Sequence, residues 1–113
     1  MIIVLSPYSG NEEYNYFKNL EFTEKLMKEG KQVFSPVVYG HQFKSIEGSF
    51  KTWEFLNRFF EAADEIYILC LMNWHNSVGL QMELKKIYSM VKFIQVTYFD
   101  HDYNEIRKDN NYI

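Results

Sequence analysis

Apolar positions gather into four short runs, each closed by turn-forming residues. Ile2-Ile3-Val4-Leu5 stops at Ser6-Pro7, and Gln32-Val33-Phe34 stops at Ser35-Pro36. Ile66 to Met72 ends at Asn73, and Lys92 to Val96 runs on towards Tyr98 and Phe99. The first and third runs are continuous, which suits strands covered on both faces of a parallel sheet. Between the runs lie three stretches of helical period. Tyr16, Phe17, Leu20, Thr23 and Met27 share the face of the first, which Gly30 closes. Trp53, Leu56, Phe60 and Ala63 form the stripe of the second, and Leu80, Leu84, Ile87 and Val91 that of the third. The alternation predicts a small Rossmann-like domain with three α/β/α layers. Its sheet is mostly parallel, with four to five strands and right-handed crossovers. One domain spans residues 1–113, with 40–48 as a loop and a polar tail from about residue 101 that is expected to fray.

Composition narrows the class. At 113 residues the chain has room for one core and one cleft. Ten Phe, nine Tyr and two Trp exclude a disordered chain. A net charge of −3, with Arg58 and Arg107 the two arginines, speaks against a nucleic-acid polymer as partner. The opening apolar run falls short of a signal-peptide core, and no stretch approaches the ~18–20 apolar residues of a membrane span. Cys70 is the single cysteine, so no internal disulfide forms and a reducing cytoplasm is the expected compartment. Its place within the third run predicts a buried, inert thiol in mid-strand. His41, His75 and His101 show no ligand spacing with Cys70, and Asp100-His101-Asp102 reads as a solvated strand exit. Neither a metal nor a cofactor is expected.

Parallel sheets bind ligands outside the carboxyl ends of their strands, which directs attention to four loops. The richest is Asn73 to Glu83. Ser77 precedes the third helical stretch as a cap, and Gly79 lies in its first turn, where free N–H groups attract anions. Glu83 falls about 40° from Ile87 around the helix, at the margin of the apolar stripe, where its carboxylate is partly desolvated. Ser77 as a cap alone and Glu83 as a solvated helix residue are the plain alternatives. In Ser6-Pro7-Tyr8-Ser9-Gly10-Asn11, small and hydroxyl residues can present N–H and Oγ groups to an anion. The same residues also suit a simple turn into the first helix. His41 sits in a loop where it can orient a ligand, donate a proton or simply face water. Trp74, at a strand's carboxyl end, suits a flat wall against a nucleobase.

Taken together, these segments resemble the nucleoside 2-deoxyribosyltransferase-like superfamily. The likeness covers roughly residues 1–97. It rests on Ser6-Pro7-Tyr8-Ser9, Ser35-Pro36, Ala63-Asp64 and, most specifically, Trp74-x-x-Ser77-x-Gly79-x-x-x-Glu83. The nearest likeness is to small, phage-type members and, beyond them, to nucleoside-monophosphate N-glycosidases. The resemblance implies that Glu83 is a nucleophile attacking the anomeric carbon of a nucleotide or nucleoside. Base cleavage or transfer would then pass through a glycosyl-enzyme ester. It further implies that Ser6, Ser9, Ser77 and Gly79 cradle a phosphate, with Gly10 in the same loop, and that Tyr8 lies beside sugar or base. Self-association through helices, as a dimer or higher oligomer, is implied as well. Where glycosidase members carry an Asp, eight residues before Asp64, this chain has Leu56 with Asn57 adjacent. Asn57 can hydrogen-bond a substrate but cannot shuttle a proton, which shifts leaving-group protonation towards His41. A protein that binds a nucleotide without cleaving it is the alternative.

Overall fold

Ile2–Leu5 form β1, and all four side chains are buried, as a strand covered on both faces requires. The computed structural model describes residues 1–43, 53–90 and 94–111, except the side chains of 53–56, 110 and 111. Around β1 run β2 (Val33–Phe34), β3 (Glu65–Leu69), β4 (Ile94–Phe99) and β5 (Glu105–Asn111). The sheet order is β2-β1-β3-β4-β5. β1 pairs in parallel with β2 and β3, β3 pairs in parallel with β4, and β5 returns antiparallel along β4. The helices are α1 (Glu12–Lys28), α2 (Pro36–His41), α3 (Trp53–Ala62) and α4 (Val78–Ser89).

Alternation along each strand separates two cores. Ile2, Val4, Tyr67 and Leu69 meet Phe22 and Leu26 of α1. Ile3, Leu5, Ile66, Ile68, Ile94 and Val96 meet Phe60 at the end of α3 and Leu80, Leu84 and Ile87 of α4. This is the three-layer, doubly wound, Rossmann-like architecture. Its buried Ile, Leu and Phe side chains each stabilise the fold by roughly 1.5–3 kcal/mol. An exposed pair such as Lys25–Glu29, at 2.9 Å, is screened by water and adds little, so packing holds the molecule together. The chain leaves β1 towards β2 on one side and β3 towards β4 on the other. A crevice therefore opens above the carboxyl ends of β1 and β3.

Four expectations change. The buried face of α1 is Asn15, Asn19, Phe22, Thr23 and Leu26, while Phe17 and Met27 are 57% and 53% exposed. Two asparagines move the inward stripe, because a hydrogen-bond network satisfies them. His41 closes the short helix α2 and does not lie in a loop. Of the anticipated loop, residues 44–48 lie outside the described residues, as do the side chains of Trp53 and Leu56 and all of Val91. The polar tail does not fray: it is β5, whose charged side chains face water while its backbone pairs with β4. Cys70 follows β3 and is half-buried, not a mid-strand residue. Burial pushes its thiol up to about 11, which leaves it protonated near neutrality. No helix among the described residues is long and apolar enough to cross a membrane.

Candidate active site

The crevice begins where β1 ends. Ser6 is buried; its hydroxyl donates to the Pro7 carbonyl (3.2 Å) and accepts from Asn19 Nδ2 (2.8 Å). Asn19 Oδ1 in turn accepts from Ser35 Oγ (2.7 Å) and Thr23 Oγ1 (3.1 Å). Ser35 caps α2, its Oγ accepting from the Val38 amide at 3.2 Å. One buried asparagine thus joins α1 to the loops after β1 and β2. Each of these serine hydroxyls has one proton, and both protons are already engaged. Ser6 therefore acts as a strut under the loop. Ser9 and Gly10 stand exposed above it, with Gly10 in the left-handed region at φ 91°.

Tyr8 is fixed from two directions. Its carbonyl accepts from Asn15 Nδ2 at 3.0 Å, and its hydroxyl lies 2.6 Å from His41 Nδ1. The His41 ring stacks on Tyr16 with centroids 3.8 Å apart, and its Nε2 faces Glu13 Oε1 at 3.7 Å. With a proton on Nε2 towards Glu13, Nδ1 becomes the acceptor for the Tyr8 hydroxyl. The His41 side chain is 13% exposed, so it is a positioned group and not a solvated one. Glu13 and Tyr16 had no motif to announce them. Their spacing of three along a helix was the available signal, and it aligns both with one face.

The other wall begins after β3. Asn73 takes left-handed geometry at φ 64°, Trp74–Asn76 make one 3₁₀ turn, and Ser77 caps α4 by accepting from the Leu80 amide at 3.3 Å. The first intrahelical bond of α4, Gln81 N to Ser77 O at 2.9 Å, leaves the Val78 and Gly79 amides ahead of it. Gly79 is exposed, and a Cβ built there would meet nothing within 4 Å. Glu83 lies one turn further on and is half-buried. No hydrogen bond or ion pair reaches its carboxyl among the described residues, and burial pushes its pKa up to about 8. On α3, the Asn57 Oδ1 is also buried without a partner among the described residues. Both helices cover the same face of the sheet.

The opposite flank of α4 borders a groove of about 670 Å³ between this helix and β5, with Trp74, Leu84, Lys85, Tyr88, Tyr98 and Arg107 on its walls. Trp74 turns towards this flank, its ring centroid 5.8 Å from that of Tyr98. Asp100 serves its own turn by accepting from the Asp102 and Asn104 amides at 2.9 and 3.0 Å, and the Asn104 bond foremost holds its pKa down. No cluster of His, Cys, Asp and Glu suited to a metal occurs among the described residues.

The fold thus joins Tyr8 to His41 and Ser77 to Gly79, with Ser6 beneath the first loop and Glu83 behind the second. Comparison with family models, curated proteins and solved structures yields no match.

Proposed function

We propose that the chain cleaves or transfers the N-glycosidic bond of a nucleotide or nucleoside, with Glu83 as nucleophile. The observation that carries this reading is the unpaired, half-buried Glu83 carboxyl, one turn behind the capped start of α4 at the carboxyl end of the sheet. A phosphate rests on the Val78 and Gly79 amides at the positive end of the helix. Such anchoring holds the sugar in place and lowers the entropic barrier to attack. Without a cation beside it, Glu83 is largely protonated near neutrality. The nucleophile is the ionised fraction, which has given its proton to solvent before the attack. As the bond to the base breaks, positive charge grows on the anomeric carbon and stabilises the carboxylate, so the favourable interaction develops in the transition state. Glu83 then bonds to that carbon while the departing base takes a proton from the Tyr8–His41 pair. Water or a second base resolves the ester with overall retention.

One observation favours a non-catalytic nucleotide-binding protein instead. With a pKa of about 8, Glu83 is roughly one-tenth ionised at pH 7, and Asn57 cannot transfer a proton. Incubation with a panel of ribo- and deoxynucleoside monophosphates, followed by chromatography of released base, separates the two. The enzyme releases base at a rate that rises with pH towards about 8, and Glu83→Gln abolishes release. Tight binding without release, unchanged by that substitution, leaves the binding protein.

A further inference from the structure

The geometry points to a second binding site, in the groove between α4 and β5, for a planar aromatic ring that carries an anionic group. The groove lies on the far flank of α4 from Glu83. Around the helix, Leu84, Tyr88 and Lys85 fall on one side of Leu80 and Glu83 on the other. Its volume of about 670 Å³ suits a small ligand.

Charge selects the ligand's polar end. The chain carries a net −3, yet Lys85 and Arg107 line this groove and, among the described residues, no carboxylate does. Arg107 is held in place: its guanidinium lies 4.2 Å from the Tyr98 ring centroid, and its Nε is 3.4 Å from Asp109 Oδ2. Asp109 is itself fixed by the Tyr88 hydroxyl at 3.2 Å, which also meets the Tyr98 hydroxyl at 2.8 Å. A guanidinium engaged by Asp109 and the Tyr98 side chain still keeps further N–H donors, of its five, for a phosphate or carboxylate. Lys85 has no ion-pair partner among the described residues and adds a second cation from α4.

Shape selects the apolar end. Trp74 is half-exposed and backed by His75 at 3.8 Å between centroids. Gln81 Nε2 ties the same turn to α4 by donating to the Trp74 carbonyl at 3.2 Å. A rigid indole wall facing two cations recognises a flat ring by stacking and its anion by charge-assisted hydrogen bonds. A nucleoside monophosphate and an aromatic carboxylate are two sources of that chemistry.

The test is an NMR titration of the Glu83→Gln protein, which removes turnover from the measurement. The Trp74 indole N–H, assigned with Trp74→Phe, is followed against adenosine monophosphate, benzoate, adenosine and inorganic phosphate. One of the two aromatic anions should shift it with saturation, and whichever binds more tightly identifies the source. Adenosine and phosphate alone should bind roughly tenfold more weakly or worse, and Arg107→Gln should weaken the aromatic anion by a similar factor. An unmoved indole signal at millimolar ligand overturns the site. So does equal affinity for phosphate alone, or indifference to Arg107→Gln.

Discussion

Burial holds a proton on Glu83 up to a pH of about 8, whereas an ordinary glutamate releases it near 4.5. Between those values the folded chain binds more protons than the unfolded one, so this part of the stability falls as pH rises. Below about 4.5 the residue is neutral in both states and the penalty vanishes. Glu83→Gln keeps the shape and removes the ionisable group. Urea unfolding should therefore find the variant and parent similar at pH 4.5 and the variant more stable at pH 8, by roughly 4 kcal/mol. A gap that does not widen with pH shows a solvated carboxyl. The position of Glu83 was legible in the sequence, because about 100° per residue sets it beside Ile87. The Tyr8–His41 contact was not, since the two residues are 33 positions apart and only the packing of α2 against α1 brings them together.

Among the elements, α1 shows where hydrophobic pattern misleads. Asn15, Asn19 and Thr23 recur at helical spacing and point inward, because the loops after β1 and β2 supply partners that no hydropathy pattern can register. Asn19→Ala leaves the buried Ser6, Thr23 and Ser35 hydroxyls each short of a partner. Denaturant unfolding should show a loss of roughly 2–4 kcal/mol, against about 1 kcal/mol for Ser35→Ala. Equal effects from the two would mean that the network centres on the cap and not on Asn19. β1 and β3 were readable as unbroken apolar runs. β2 has two residues and α2 has six, so their forms depend on β1 and on the Ser35 cap more than on their own patterns.

Across the whole molecule, the doubly wound plan followed from the order of runs and periods, but its last strand did not. β5 is rich in charge because its side chains face water at the border of the sheet, and polar content alone cannot distinguish such a strand from a loose tail. Its six described pairings with β4 cover the strand that carries Val96 and Tyr98 into the core. Truncation after Asn104 should abolish the single cooperative melting transition and raise binding of an apolar dye, as read by circular dichroism and fluorescence. Unchanged melting would make β5 an appendage. The two sheet borders also differ in how they are guarded. β2 offers only a two-residue border, and β5 presents Glu105, Arg107 and Lys108 along an exposed strand. Neither is a template onto which another copy can add strand by strand. Any assembly of this protein is thereby steered to its helical layers, and growth into fibrils is disfavoured by the same charges that hid β5 in the sequence.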